Sequence, residues 1–295
     1  MTDKPLPPEL RAWVADHLSG LDTIEDRSWP RSSSQVWRVA AGSRSAFVKI
    51  SHSELDFDRE VAGYAYTERV LSDQQAPRLL AADPDLRALL SSPLPGQVVR
   101  DLPLARDVEL RLHEDAGRLL RHWHDASDAG SAADRTAVRS AMQEYAQEAA
   151  DCLEDTAAHL AVDRIALVEA ASKNLVDLAA RLPLVFRHGD YATRNWLYDS
   201  ATDSHGLIDF AMSQYGVVVE ECVWLFGAVW SVRPDLRDAY FTGYGRLLTQ
   251  EEEELLRLLT VRLGVSYLRT GLVKDRGDLA ARGHLILDRM ASQRP

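Results

Sequence analysis

The stretch 186–210, FRHGDYATRNWLYDSATDSHGLIDF, constrains this chain more than any other part of it. It sets Asp190, Asn195 and Asp209 among short apolar runs. Leu184-Val185-Phe186 reads as a buried strand leading into His188-Gly189-Asp190. Trp196-Leu197-Tyr198 and Gly206-Leu207-Ile208 read as two strands joined by the turn-rich Asp199-Ser200-Ala201-Thr202-Asp203-Ser204. A hairpin of that length brings Asn195 and Asp209 to one end, beside Asp190. Phosphoryl transfer from a metal–nucleotide needs one carboxylate to take a proton from the attacking hydroxyl. It also needs two oxygen-bearing side chains to hold Mg²⁺ on the triphosphate. Asp190 is thus the expected base, with Asn195 and Asp209 the expected Mg²⁺ ligands. His188 reads as structural, its ring bonding backbone near the metal site.

His188-Gly189-Asp190, the Asn at 195 and Ile208-Asp209-Phe210 together resemble the aminoglycoside phosphotransferase family, small-molecule kinases that share the protein-kinase architecture. Protein kinases carry H-R-D and D-F-G at the equivalent places. Here Gly189 replaces the Arg and Ala211 stands where the final Gly would be, which fits the antibiotic- and metabolite-kinase branch. The resemblance covers roughly Val36 to Val232. It implies an α+β, two-lobed, protein-kinase-like fold with a small β-rich N-lobe and a larger, mainly helical C-lobe. Residues 1–92 would form the nucleotide-binding lobe, with a hinge at about 91–96. Residues 97–295 would form the helical lobe with the catalytic loop, metal site and acceptor site.

The residue pattern agrees with that layout. Gln35–Val39 and Ser45–Ile50 read as strands of a hairpin, and Leu86–Leu90 as another strand. Leu55–Leu71 has helical spacing of its apolar residues, and Ser92-Pro93-Leu94-Pro95-Gly96 breaks the chain. Helical patterns then run over 108–126, almost continuously over 133–182, and through 220–232, 251–267 and 277–290. The opening segment, Leu6–Leu18, reads as a short helix without an evident role.

On the nucleotide side, Lys49 resembles the lysine of the family's third strand, which sets a cation on the α/β-phosphates. Glu60 is its natural counter-charge. Glu54, Asp56 and Asp58 compete for that role, but they crowd the start of the helix whereas Glu60 lies a turn inside, next to Val61. The family's glycine-bearing phosphate loop corresponds here to Trp29-Pro30-Arg31-Ser32-Ser33-Ser34, which has no glycine. Ser32, Ser33 and Ser34 either donate hydroxyl and backbone hydrogen bonds to phosphate or form a plain polar turn. Purine contacts in this family come from hinge backbone, so ATP and GTP both stay open as co-substrate.

The acceptor side is less defined. Protein kinases commonly place a Lys two residues after the catalytic Asp, where this chain has Ala192. Arg194 either compensates by contacting the transferred phosphate or pairs with a neighbouring carboxylate. Glu220-Glu221 fall where the family often has an Asp that braces the catalytic loop; one would be that brace and the other could face the substrate. Glu144, Glu148, Asp151 and Asp155 share one face of a helix, either as a stripe for a cationic acceptor, with Glu148 and Asp151 at its centre, or as a solvated face. His122 and His124 point to different faces of a helix, so they do not form a metal pair.

Composition narrows the rest. A net charge of −11 disfavours nucleic acid or an anionic membrane as partner and suits a cationic small-molecule acceptor. Cys152 and Cys222 are too few for a disulfide framework. No segment is apolar for long enough to span a bilayer, so a cytoplasmic protein is expected. With 30 Arg against 4 Lys, Lys49 stands out in its strand. These readings converge on an ATP- or GTP-dependent kinase for a hydroxyl, on an antibiotic such as an aminoglycoside or on a metabolite such as a sugar or choline-like alcohol. A nucleotide-binding regulatory module with little catalysis is the remaining alternative.

Overall fold

Alternating burial along 36–50 builds the first half of the structure. Trp37 and Val39 on one strand, and Ala46 and Val48 on the next, point to the same buried face. In the computed structural model, which describes residues 4–29 and 35–292, these strands belong to a five-stranded antiparallel sheet of order β1-β2-β3-β5-β4. The strands are β1 (Thr23–Asp26), β2 (Val36–Ala41), β3 (Arg44–Ile50), β4 (Leu79–Asp83) and β5 (Ala88–Ser91). The β2–β3 hairpin is tighter than expected. Ala41 pairs with Arg44, and Gly42 takes φ 60° in the two-residue turn. Neither β1 (Thr-Ile-Glu-Asp) nor β4 (Leu-Leu-Ala-Ala-Asp) gave a strand signal; pairing with their neighbours makes them strands.

The opening helix α1 (Pro8–His17) covers the apolar face of this sheet. Leu10 and Val14, one turn apart, form one cluster with Leu6, Leu18, Trp37, Val39, Val48 and Leu90. Trp37 Nε1 donates to the Lys4 carbonyl at 2.8 Å, tying the start of the chain to β2. Helix α2 (Glu54–Val70) starts at Ser53, whose hydroxyl accepts from the Asp56 N–H at 3.1 Å. Glu54 and Asp56 sit in its first turn, where carboxylates suit the helix dipole.

Packing divides the chain into two compact units. One comprises Met1–Pro103 with His188–Gln214, so the catalytic segment read from sequence belongs with the five-stranded sheet. It also holds a three-stranded antiparallel sheet of β6 (Gln97–Val98), β8 (Trp196–Asp199) and β9 (Ser204–Leu207); β7 is given below. Trp196 pairs with Leu207 and Asp199 with Ser204, as the hairpin reading requires. The turn is held by the Asp199 carboxylate, which accepts from Ala201 N–H at 3.1 Å and the Thr202 hydroxyl at 2.8 Å.

The other unit, Leu104–Arg187 with Tyr215–Pro295, is mainly helical. Its long helices are α3 (Arg106–Asp125), α4 (Ala132–Thr156), α5 (Val162–Arg181), α7 (Pro234–Tyr244), α8 (Gln250–Val273) and α9 (Gly277–Ser292). Helix α6 (Val223–Leu225) is a single turn. Strands β7 (Leu184–Arg187) and β10 (Gln214–Val217) pair with each other. Two expectations change here. The run over 133–182 is broken at 157–161, where the Thr156 hydroxyl bonds back to the Cys152 carbonyl at 2.7 Å and the chain turns extended. The segment 220–232 is an irregular 3₁₀, α and π sequence and not one helix. Helices α3 and α7 touch backbone to backbone: a Cβ on Gly117 would lie 1.9 Å from the Tyr240 carbonyl oxygen. No helix of the described residues is long and apolar enough to cross a membrane.

Leu10 is 2% exposed within the α1–sheet cluster. Leu10→Ala is expected to lower stability by about 2–5 kcal/mol, read as a shifted midpoint in denaturant unfolding.

Candidate active site

Lys49 lies on β3, paired with Val36 on one side and Leu89 on the other, so its backbone is fixed from both edges. Its side chain leaves the face opposite Val48 and meets Glu60 of α2. Nζ is 3.0 Å from Glu60 Oε1 and 2.9 Å from Oε2. Of the four candidate carboxylates, Glu60 is the buried one, at 1% exposure, while Glu54 and Asp58 face solvent. The same ammonium reaches Asp209 Oδ1 at 2.7 Å, across 160 residues of sequence. Sequence spacing linked Lys49 to Glu60 but gave no sign of this third partner.

The three charges set one another's protonation. Burial pushes the Glu60 carboxyl up to about 7, with the Lys49 charge opposing. Burial alone would raise Asp209 too, yet the Lys49 charge and hydrogen bond outweigh it and hold that carboxyl below the usual range. Burial would lower Lys49, but Asp209 and Glu60 hold it firmly protonated.

Asp209 has φ 69°, a left-handed conformation that Asp tolerates better than most residues. That turn ends the β9 run and aims the carboxylate back at β3. Phe210, fully buried, fixes the turn: its ring meets Tyr64 of α2 at 5.0 Å and His188 at 5.4 Å, both edge to face. Gly63 makes the α2 contact possible, since a Cβ there would lie 2.5 Å from Phe210 Cβ.

The loop 188–195 is tied to the same segment. His188 Nε2 donates to the Ile208 carbonyl at 3.2 Å, and its Nδ1 accepts from Asp190 N–H at 3.3 Å. Ile208 N–H in turn donates to the Asn195 carbonyl at 3.0 Å. Gly189 takes φ 85°, and a Cβ on it would stand 2.0 Å from the Met212 carbonyl oxygen. An Arg, as in protein kinases, has no room in this arrangement. Tyr191 and Trp196 are buried and touch at 5.4 Å between ring centroids, anchoring both ends of the loop that follows Asp190.

Within the loop, Asn195 Nδ2 donates to Asp190 Oδ2 at 2.8 Å and to the Asp190 carbonyl at 2.9 Å. This commits the amide nitrogen and turns the carbonyl oxygen of Asn195 the other way. Arg194 pairs with Asp190 through both carboxylate oxygens, Nε to Oδ2 at 3.0 Å and Nη2 to Oδ1. Asp190, Asn195 and Arg194 therefore form one hydrogen-bonded set, while Lys49, Glu60 and Asp209 form another. His188, Ile208 and Phe210 join the two. Two hard oxygen donors, the Asn195 carbonyl and the Asp209 carboxylate, suit Mg²⁺. Among the described residues no cluster of three or more His, Cys, Asp or Glu offers a metal site of another kind. Ser32, Ser33 and Ser34 lie outside the described residues.

The remaining candidates sit in the helical unit. Glu221 is buried, and the side chain of half-buried Glu220 is 6% exposed. Glu220 Oε1 is 3.2 Å from Arg187 Nη2, and Oε2 accepts from Val217 N–H at 2.9 Å. Burial raises the Glu220 carboxyl, with Arg187 opposing. Gly216 makes room for that guanidinium, since a Cβ there would lie 1.9 Å from Arg187 Nε. Arg187, immediately before His188, was overlooked in the sequence; a charged residue closing an apolar strand was its only signal. Glu221 Oε1 lies 3.9 Å from His124 Nε2, and His124 Nδ1 is 2.9 Å from the Tyr244 hydroxyl. On α4, Glu148 pairs with Arg262 of α8, Asp155 with Arg269, and Asp151 accepts from Gln147 at 2.7 Å. Arginines of α8 thus meet two of the four carboxylates in that stripe.

A family model described as "Phosphotransferase enzyme family" matches residues 23–258. No curated protein sequence matches the chain. Several solved structures do. The gentamicin complex of APH(2″)-IIa aligns over 99% of this chain and 98% of its own, at 13% identity and TM-score 0.65. ADP-bound aminoglycoside phosphotransferase APH(2″)-Ib aligns over 97% and 99%, at 15% identity and TM-score 0.66. The GDP and kanamycin complex of APH(2″)-IIIa aligns over 98% and 100%, at 13% identity and TM-score 0.67. At such identities the likeness is one of fold, and it matches the α+β, kinase-like architecture expected from the sequence.

Two predictions follow from this geometry. Gly189→Ala should lower the melting temperature, because the new methyl meets the Met212 carbonyl and φ turns unfavourable; Gly42→Ala, with open space around it, is the control for the φ effect alone. Because folding raises Glu60 from 4.5 to about 7, the folded chain keeps a proton that the unfolded one has released. That contribution favours the fold at acid pH and fades as pH rises through about 7. Glu60→Gln should flatten this part of the melting temperature's pH dependence between pH 5 and 8, measured by calorimetry.

Proposed function

The chain belongs to the phosphotransferase enzyme family, and on that premise we propose that it moves the γ-phosphate of ATP or GTP to a hydroxyl of a small molecule. The observation that carries this reading is Lys49 on Glu60 and Asp209, within the same compact unit as the Asp190–Asn195 pair. A nucleoside triphosphate needs a cation, a counter-charge for that cation, a metal-binding pair and a base, and we read Lys49, Glu60, the Asn195 and Asp209 pair and Asp190 in those roles.

Asp190 orients the acceptor hydroxyl and takes its proton as the new bond to phosphorus forms. The Asn195 amide keeps the Asp190 carboxylate in one rotamer. Lys49 turns from Asp209 towards the α/β-phosphates while Glu60 retains it; Asp209, relieved of that contact, is available with the Asn195 oxygen for Mg²⁺. Held by these two oxygens, Mg²⁺ would supply charge neutralisation on the triphosphate and its leaving group. The Arg187–Glu220 pair holds the residue before the catalytic loop, a bracing role for Glu220 that leaves neither it nor buried Glu221 for the acceptor. The hydroxyls of Ser32, Ser33 and Ser34 are assigned to the phosphates.

We assign the acceptor to the cationic antibiotics, aminoglycosides first, with resistance as the outcome and the cytoplasm as the place of action. Support comes from the similar structures, which include a gentamicin complex and a GDP and kanamycin complex. The net charge of −11 also attracts a polycation.

The test is nucleoside diphosphate release from ATP and GTP with Mg²⁺ across aminoglycosides, other cationic antibiotics, sugars and amino alcohols. Turnover on an aminoglycoside, lost by at least about 10²-fold in Asp190→Ala, is the expected result. Turnover confined to sugars or amino alcohols replaces the antibiotic assignment with metabolism. Nucleotide binding without turnover on any acceptor favours a regulatory module. Asp209→Asn should raise the Mg²⁺ concentration needed for half-maximal rate, measured by metal titration.

A further inference from the structure

Helices α3 and α7 start side by side. Arg106, the first residue of α3, meets Asp235 of α7 at 3.1 Å. The two helices touch again further along, at Gly117 and Tyr240, so they run parallel. Their first turns border an open cleft of about 580 Å³ within the helical unit. That volume suits a ligand the size of a substituted monosaccharide, since small-molecule sites span roughly 300–1,000 Å³. Leu104 and Pro234 supply apolar wall, while Arg106, Glu109, Arg233 and Asp235 supply charge. None of these residues has a part in the phosphotransfer assigned above.

The four charges cancel in number but not in hydrogen-bonding capacity. Arg233 lies between the two carboxylates. Its Nε and Nη2 donate to Asp235 Oδ1 at 2.9 Å and Oδ2 at 3.0 Å, and its Nη1 donates to Glu109 Oε2 at 2.7 Å. Arg106 Nη2 also donates to Asp235 Oδ2. Asp235 thus accepts three hydrogen bonds, and the Arg233 fork holds its carboxyl down at about 2, so it stays ionised and occupied. Glu109 keeps one carboxylate oxygen, Oε1, uncommitted. Donors, by contrast, are in surplus. A guanidinium has five N–H groups; Arg233 uses three of them here and Arg106 one. Among the described residues, that leaves six N–H groups on the cleft wall without a protein partner. Arg106 is the more open of the two, its side chain 75% exposed against 34% for Arg233. An entering cation would find one spare carboxylate oxygen and two guanidinium charges. An entering oxyanion would find donors, some of them on a guanidinium already held in place.

We propose that this cleft binds a small molecule carrying an oxyanion, a carboxylate or a phosphate ester, on a body of monosaccharide size. Arg106 closes on the oxyanion from the open side. Arg233, fixed by Glu109 and Asp235, donates to it from within. Leu104 and Pro234 take the body of the ligand. Nothing in this site depends on the phosphotransferase reading.

Isothermal titration calorimetry of the whole chain with glucuronate, glucose 6-phosphate, glucose and glucosamine keeps the sugar body and changes its charge. The wild type should bind glucuronate, glucose 6-phosphate or both at least about tenfold more tightly than glucose or glucosamine. Binding of one oxyanion alone names the carboxylate or the phosphate as the group recognised. Arg106→Gln should weaken that binding about tenfold; the side chain is exposed and makes a single ion pair, so the fold is not at risk. Arg233→Lys keeps the charge but not the fork and should weaken binding likewise, and Arg106→Gln decides alone if that variant does not fold. Added Mg-ADP should not displace the oxyanion. The proposal is overturned if the wild type binds neither oxyanion, or binds glucose or glucosamine equally well. Binding that survives Arg106→Gln unweakened also overturns it, and displacement by Mg-ADP does so by placing the oxyanion at the nucleotide site.

Discussion

A single ammonium, Lys49 Nζ, closes on Glu60 and Asp209, and the arrangement of the site follows from it. Those residues come from a central strand, a helix and the end of a hairpin far along the chain. Two carboxylates buried side by side would each resist ionisation; the shared cation makes the group tolerable. The balance is uneven: Glu60 is pushed up, Asp209 is held down and Lys49 stays charged. Such an assembly is costly to bury without all its members.

Apolar and backbone contacts keep this charged group in register with the loop that carries Asp190 and Asn195. Phe210 stands between Tyr64 of α2 and His188 of the loop, and His188 bonds the carbonyl preceding Asp209. Displacing any of the three would disturb both the Lys49 group and the Asp190 group. Gly63 and Gly189 let the backbones approach this closely. The family's glycine between His and Asp therefore has a local reason in this chain, the Met212 carbonyl 2.0 Å from where a Cβ would stand.

Much of this was legible beforehand. Asp190, Asn195 and Asp209 lie close along the chain, and a hairpin with an even count of residues returns its second strand to the start of its first. Glu60 was separable from Glu54, Asp56 and Asp58 because it lies a turn inside the helix, next to Val61, while the others crowd the helix start. The acidic stripe on α4 was legible as a stripe only. That Arg262 and Arg269 meet Glu148 and Asp155 depends on how α8 lies along α4, which no local pattern encodes. Strands β1 and β4 were likewise invisible, since half-buried edge strands carry a weak alternation that pairing, not composition, resolves.

By itself, the sequence determined the fold class and the β8–β9 hairpin, because each rests on spacing within one or two elements. Tertiary structure alone decided which charges meet. It joined Lys49 to Asp209, Arg194 to both oxygens of Asp190, and Glu220 to Arg187. The physical reason is that an ion pair has no sequence period. Its partners are chosen by the packing that brings them within about 4 Å and removes the water between them.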